Sequence, residues 1–442
     1  MRIEVTLRIA VVGTGYLGAV HAAGMAELGF DVVGVDVDEA KVDALRAGKA
    51  PFFEPDLQPL LERHVASGAL RFSTDFASVT GSDVVFICVG TPQRADGLAA
   101  DMTYVYSSVE AVAPHLSNGA LVVGKSTVPV GTATALADRL DSLAPAGSGA
   151  ELAWNPEFLR ESFAVEDTLR PDRLVFGVTS EGAEERLREV YATALEADTP
   201  LIVTDLATSE LVKVSANAFL ATKISFINAI AEICEITGAN VTQLADAIGF
   251  DERIGRKFLN AGIGFGGGCL PKDIRAFMAR AGEIGAGQSL AFLGEVDAIN
   301  LRRRDHVVNM TRELLGGEVA DRRVAVLGAA FKPNSDDVRD SPALAVAGAL
   351  HLAGAHVTVY DPEAAENAAK IYPTLEYGTS AMDVCRGAEV VLHLTEWKEF
   401  RALDPVELGA VVSTKAIIDG RNCLDTDAYR RAGWTFRAMG RP

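Results

Sequence analysis

The sequence predicts an α/β protein: two Rossmann-like parallel-sheet domains joined by a central helical domain. Three observations carry that expectation. Apolar β-branched runs alternate with helix-like segments in the first part of the chain, which is the pattern of a parallel sheet covered on both faces. From about residue 206 the strands stop, and apolar residues recur at three- and four-residue spacing. Near residue 322 the alternation returns, in an order that repeats the first.

The first unit is RIAVVGTGYLGAVHAAGMAELGFDVVGVDVD (8–38): a short β-branched run, a glycine turn, an alanine-rich helix and a second apolar run ending at Asp36. Further strands are expected at SDVVFICVG (82–90), ALVVGKSTV (120–128), ELAWN (151–155) and RLVFGV (173–178), and APAGSGA (144–150) reads as a surface loop. TSELVKVSANAFLATKISFINAIAEICEITG is then one long helix with Gly238 as its stop. A glycine-rich loop at 262–268 follows, and after it two more helical stretches, the second long enough to connect two domains. Strands resume at 322–331, 356–362, 388–397 and 415–422. These boundaries divide the chain into domains 1–205, 206–315 and 316–442. The second alternating region lacks GxGxxG, having GAAF at 328–331, so it is expected to bind something other than a dinucleotide.

Composition narrows the function. With 41 Lys+Arg against 60 Asp+Glu the net charge is −19, which disfavours nonspecific attraction to nucleic acid or anionic membrane. Cys88, Cys234, Cys269, Cys385 and Cys423 lie far apart without a CxxC pair, which argues against a disulfide framework and a thiol-rich zinc site; no metal is expected. Residues 9–26 contain few polar groups and end in small residues, as a signal peptide would. Four glycines, His21 and the preceding mixture of Arg2, Glu4 and Arg8 fit a strand, turn and helix better, and the expectation is a cytoplasmic protein.

Gly13, Gly15 and Gly18 form GxGxxG between a strand and a helix, where glycine allows a tight turn and close approach of a pyrophosphate to the helix amides. Asp36 closes the second strand at the distance expected for a ribose-binding carboxylate, which repels a 2′-phosphate; NAD is therefore favoured over NADP. Lys213 and Asn217 lie four apart and so share a helix face, although such pairs also serve as structural hydrogen bonds; Lys223 and Asn228 lack that spacing. In GFGGGCLPKD (264–273) four glycines expose amides around Cys269, while Lys272 and Asp273 follow within a turn. A nearby cation favours the nucleophilic thiolate, whereas a core cysteine would not need those glycines. FKPNSDDVRDSP (331–342) offers Lys332 and Arg339 as cations suited to phosphate.

With these residues in view, the chain resembles the nucleotide-sugar 6-dehydrogenases of the UDP-glucose/GDP-mannose dehydrogenase family. The likeness runs in order through VVGTGYLG (11–18), CVGTP (88–92), STVPVGT (126–132), NPEFLRES (155–162), ELVKVSANAFLATKISFINAIAE (210–232), FLNAGIGFGGGCLPKD (258–273), FKPNSDDVRDSP (331–342) and DGRN (419–422). It implies an N-terminal NAD domain, a helical dimer-forming middle and a C-terminal domain that helps bind the nucleotide sugar. Asp36, Lys41, Thr91, Thr127, Glu161, Lys272 and Arg339 then match positions near NAD. Glu157, Phe158, Leu159, Arg160, Lys213, Asn217, Phe258, Leu259, Asn260, Ala261, Gly262, Phe265, Gly266, Phe331 and Lys332 match the substrate pocket. Arg253 and Arg421 match arginines that approach the substrate, Arg253 from the partner of a homodimer.

The implied reaction oxidises the 6-hydroxymethyl of a nucleotide sugar to a carboxylate by two hydride transfers to NAD⁺. Lys213, Asn217 and Asp273 would position the alcohol, with Thr127 beside them. Cys269 would form a thiohemiacetal and then a thioester, and Glu157 or Asp273 would help water hydrolyse it. Gly268 stands where serine is frequent and Leu270 where phenylalanine is, a lean toward the GDP-mannose enzymes. UDP-glucose is the expected substrate, with GDP-mannose or a UDP-N-acetylhexosamine as alternatives. A single-oxidation hydroxyacid dehydrogenase and a non-catalytic NAD-dependent scaffold are the rivals from other classes.

Overall fold

The computed structural model describes residues 7–442; Arg2 and Glu4, which weighed against a signal peptide, lie outside the described residues. The chain forms two compact units that meet at residues 216 and 217, inside the helix Leu206–Thr237.

The first unit holds an eight-stranded sheet of order β3-β2-β1-β4-β5-β6-β7-β8. Its strands are β1 Arg8–Val12, β2 Asp31–Val35, β3 Leu70–Ser73, β4 Val84–Ile87, β5 Leu121–Gly124, β6 Glu151–Trp154, β7 Leu174–Gly177 and β8 Leu201–Thr204. Side chains alternate between the faces: Ile9 and Val11 join one buried cluster and Ala10 and Val12 the other, so helices cover both sides. The expectation of a wholly parallel sheet needs one correction, since β7 pairs antiparallel with β6 through Trp154 and Gly177. β8 follows β7 in parallel, so the last two strands run against the rest. β3 and β8 were not expected from sequence. Each has four residues; β3 alternates but over only two buried positions, Leu70 and Phe72, and β8 is an edge strand whose Ile202 stays exposed and breaks the alternation.

The second unit begins with helices: the remainder of Leu206–Thr237, Val241–Gly249, Leu270–Glu283 and Phe292–Leu314. Gly238 takes φ +75° directly after the long helix, as its role of stop requires. A six-stranded sheet follows, ordered β11-β10-β9-β12-β13-β14, with β9 Arg323–Leu327, β10 His356–Tyr360, β11 Glu376–Tyr377, β12 Val390–His393, β13 Ala416–Asp419 and β14 Thr435–Ala438. Counted from β9, its strand order is 3-2-1-4-5-6, the order of the first six strands of the other sheet and of dinucleotide-binding folds. Among the described residues no helix is long and apolar enough to cross a membrane.

The registers of the two sheets coincide at the point that matters for binding. Val12 pairs with Val35, and Leu327 with Tyr360, so each first strand ends beside its second. Gly13 N donates to Val35 O and Gly328 N to Tyr360 O, each at 2.8 Å. Ligands of open α/β sheets bind at these carboxyl ends.

Candidate active site

In the first unit the glycine turn has the clearance its motif promises. Gly13 sits at φ +86°, and a Cβ on Gly18 would stand 1.7 Å from Gly13 O, so the helix Tyr16–Glu27 could not start this close to β1 with any other residue there. Asp36 follows β2 and is 8% exposed. Its Oδ2 accepts from Thr14 N at 2.7 Å and Lys41 Nζ at 3.0 Å, and its Oδ1 from Asp38 N at 3.1 Å. Burial opposes its charge, but these donors together hold the carboxyl below the usual carboxylate range. A fixed carboxylate beside a glycine turn is the arrangement that takes the diol of an adenosine ribose. Lys41, matched to the cofactor, is here the partner of Asp36 itself.

Thr91 and Thr127, on the loops after β4 and β5, are joined by a 2.9 Å bond from Thr91 Oγ1 to Thr127 O. The segment carrying Glu157 to Glu161 is pinned along its length. Glu157 Oε1 pairs with Lys213 Nζ at 2.9 Å, both mostly buried, and its Oε2 accepts Leu159 N at 2.6 Å. Phe158 lies under the Arg173 guanidinium, 3.8 Å from ring centre, with Lys213 Nζ 5.7 Å away. Arg160, exposed, forks onto the carboxylate of Asp167 at 2.9 and 2.6 Å.

Several residues that fix this segment were not singled out from sequence. Lys125, 6% exposed, donates to Asn155 Oδ1 at 2.9 Å and to Tyr191 OH at 3.0 Å, holding the residue two before Glu157. Glu54, also buried, accepts Ser162 N at 2.8 Å and Ala164 N at 2.7 Å, and Tyr16 OH. Burial and the Glu54 carboxylate push the Tyr16 phenol far up, so it stays a donor. Glu210 caps the start of the helix Thr132–Leu143 through Gly131 N at 2.7 Å and Ala133 N at 2.6 Å, which fixes the loop holding Thr127.

In the second unit Cys269 is the exposed one of five free cysteines; Cys88, Cys234 and Cys385 are buried and Cys423 is half-buried. It occupies the N-cap of the helix Leu270–Glu283, where backbone amides and the helix dipole favour negative charge. Asp273, 2% exposed in the first turn, accepts Asn217 Nδ2 at 2.7 Å and Lys272 Nζ at 2.5 Å. The glycine loop ahead of Cys269 packs onto the 331–342 segment: Gly267 N donates to Arg339 O at 2.8 Å, and Gly267 faces the Phe331 ring. The Arg339 guanidinium, forked onto Asp337, takes the space a Cβ on Gly268 would need, which places a cation against the residue before the thiol.

Arg421 ties three segments through bonds to Leu394 O at 2.7 Å and to Gly264 O and Phe331 O at 3.1 Å. Lys332 lies 5.5 Å from the Phe331 ring centre. Leu259, Ala261 and Phe265 turn into buried clusters, so only their backbone is available to a ligand. Phe258, at φ +66°, and Asn260 remain accessible, and Gly262 N is held by Asn228 Oδ1 at 2.8 Å. Gly266 is buried against Asp340 O. Arg253 is exposed on its own Asp251. Lys223 bonds Ile254 O and Gly255 O, so with Asn228 it serves the fold.

Comparison with known proteins agrees along the whole chain. Residues 7–195, 207–302 and 325–426 match the NAD binding, central and UDP binding domains of the UDP-glucose/GDP-mannose dehydrogenase family. A UDP-glucose 6-dehydrogenase of Rhizobium meliloti is 44% identical over 99% of this chain and 100% of its own length. The UDP-glucose 6-dehydrogenase TuaD of Bacillus subtilis is 41% identical over 98% of this chain and 93% of its own. Among solved structures, a UDP-glucose dehydrogenase from Pyrobaculum islandicum superposes with a TM-score of 0.91 at 37% identity, covering 100% of this chain and 99% of that one. A GDP-mannose dehydrogenase from Pseudomonas aeruginosa reaches 0.54 at 28% identity, covering 98% and 100%.

Proposed function

Because the chain belongs to the UDP-glucose/GDP-mannose dehydrogenase family, whose members are NAD-dependent nucleotide-sugar dehydrogenases, we propose that it oxidises UDP-glucose to UDP-glucuronate. UDP-glucose is favoured over GDP-mannose by the full-length relatives and by the TM-scores of 0.91 and 0.54, against the lean that Gly268 and Leu270 suggest. The observation that carries the chemistry is Cys269: an exposed thiol at a helix N-terminus, followed by the buried Asp273.

NAD⁺, when bound, supplies the hydride acceptor, and Gly13, Gly18 and Asp36 fit its pyrophosphate and ribose. Thr91, Thr127, Glu161, Lys272 and Arg339 are assigned to it as well. Proton removal from the 6-hydroxyl falls to Glu157 through water, while Lys213 and Asn217 stabilise charge on the oxygen. The aldehyde so formed has no hydride poised to leave until a nucleophile adds. The Cys269 thiolate supplies that nucleophile, giving a thiohemiacetal whose oxidation yields a thioester. Water then releases the carboxylate. Lys332, Arg421 and the backbone of 258–262 hold the nucleotide sugar. Domains 1–205, 206–315 and 316–442 correspond to cofactor binding, dimerisation with the cysteine loop, and nucleotide-sugar binding.

A homodimer is the assembly we assign. Phe219, Phe226 and Ile233 recur every seven residues along the helix Leu206–Thr237 and stay 66%, 51% and 55% exposed, an apolar stripe that a second copy would bury. Phe226→Asp should convert the dimer to a monomer in light scattering after gel filtration. The free cysteines fit a cytoplasmic setting.

Cys269→Ser tests the chemistry. It should abolish UDP-glucuronate formation while NAD⁺ binding persists; a variant that still makes the carboxylate at the wild-type rate would remove the thioester from the mechanism.

A further inference from the structure

The segment that carries Glu157 is strained at its end. Ser162 has φ +71°, a left-handed conformation that residues other than glycine rarely take and that persists only where the surroundings impose it. Residues 157–162 belong to no helix or strand. Leu159 N, Arg160 N and Phe163 N bond to Glu157, Asp167 and Arg160 O, all close in sequence, so these bonds shape the segment without fixing where it stands.

The tie from afar is Glu54, 6% exposed and set between the helices Glu39–Arg46 and Leu57–Ser67. Its Oε2 accepts Ser162 N at 2.8 Å and the Tyr16 hydroxyl, its Oε1 accepts Ala164 N at 2.7 Å, and Ser162 N also reaches Tyr16 OH at 3.3 Å. Carboxylates are seldom buried without a cation, and this one is satisfied by two backbone amides and a phenol instead. Tyr16 is the first residue of the helix that starts at the glycine turn, and its ring packs on Phe52 with centres 4.8 Å apart. The loop bearing Phe52 and Glu54 is pinned in turn by Gln58, which accepts Ala50 N at 2.8 Å and donates to Gly48 O at 2.7 Å. Beyond Ser162 the short helix Ala164–Leu169 leans on the same glycine-turn helix, with Thr168 in the space that a Cβ on Gly24 would need.

We propose that Glu54 is a positioning residue for the reaction: with Tyr16 it holds Ser162 left-handed and so aims Glu157 from the helix that begins at the cofactor's glycine turn. The proposal rests on the reading of Glu157 as the base given above. Two carboxylate oxygens accept all three donors, whereas a carboxamide in the same place offers one oxygen and turns an NH₂ toward a backbone amide. With a donor left unmatched, Ser162 is free to return to negative φ, which redirects the chain on both sides. A displacement of about 1 Å at a reacting group costs on the order of a hundredfold in rate.

Glu54→Gln should lower kcat with UDP-glucose and NAD⁺ about tenfold. Adding Ser162→Gly to that variant should raise kcat again about threefold, because glycine takes a positive φ without steric cost. A merely structural role for Glu54 would not give this rescue, since a glycine in a loop does not restore a lost hydrogen bond. Tyr16→Phe, which leaves both amides on Glu54, is the second variant should Glu54→Gln fail to fold; its kcat should fall about threefold and Ser162→Gly should recover it. Wild-type kcat in both variants, or a loss that Ser162→Gly does not relieve, overturns the proposal. Glu157→Gln separates the two readings and should lose about a hundredfold or more. A wild-type kcat there would fault the assignment of the base, and the positioning proposal would fall with it.

Discussion

The turn after β1 and the turn after β9 begin alike and diverge within three residues. Each starts with a glycine of positive φ, Gly13 at +86° and Gly328 at +115°, and each is closed by an aspartate one residue beyond the second strand. Thr14 N donates to Asp36 and Ala329 N to Asp361, both at 2.7 Å. After Gly13 the chain enters a helix at Tyr16, leaving amides and an acidic edge facing the sheet end. After Gly328 the helix waits until Pro342, and residues 329–341 form a loop that brings Lys332 and Arg339 forward. The aspartates part company accordingly. Asp36, 8% exposed, accepts Thr14 N, Thr14 Oγ1, Asp38 N and the partly exposed Lys41 ammonium, whereas Asp361, 2% exposed, meets no cation and is consumed by Ala329 N, Ala330 N, Glu363 N, Ala364 N and the Trp397 indole. The same arrangement of strand, glycine and aspartate thus keeps a cation beside the carboxylate in one sheet and is absorbed into internal architecture in the other.

That contrast can be broken by substitution. Asp361→Ala leaves five donors facing a buried gap and should cost about 3 kcal/mol or more in urea unfolding followed through tryptophan fluorescence, Trp397 and Trp434 lying in this sheet region. A loss as small as that of a surface substitution would mean that Asp361 does not organise the turn. Asp36→Ala should cost less stability than Asp361→Ala yet raise the KM for NAD⁺ about tenfold to a hundredfold and relax the preference over NADP⁺; an unaltered preference would assign it to another residue. Lys332→Ala should have the smallest effect, an increase of about fivefold in KM for UDP-glucose with that for NAD⁺ unchanged. The opposite split would move the nucleotide sugar away from the second turn.

Much of this contrast was legible in the sequence because it is local. GxGxxG, Asp36 and the echo of DVVGVD in HVTVYDP lie within single βαβ units, and the cysteine loop announces itself through four glycines. Helix ends such as Gly238 are local too. The residues that hold the site in place are not. Lys125 and Tyr191 are 66 positions apart and neither carries a motif of its own; Glu54 and Ser162 are 108 apart with only Ser162 inside one; and Arg421 and Gly264, 157 apart, each lie in a motif that does not name the other. The reversal of β7 and β8 escapes for the same reason: a strand's composition records its burial, and its direction is set by the path of the connection. Leu259, Ala261 and Phe265 show the converse, since the resemblance marks them as pocket residues while their side chains serve the core.

The account stands most directly on NADH formed per nucleotide sugar consumed, with UDP-glucose, GDP-mannose and UDP-N-acetylhexosamines each limiting and NAD⁺ in excess. It predicts two NADH per sugar with UDP-glucose used fastest. One NADH per UDP-glucose would contradict it, because Cys269 would then have no second oxidation to serve.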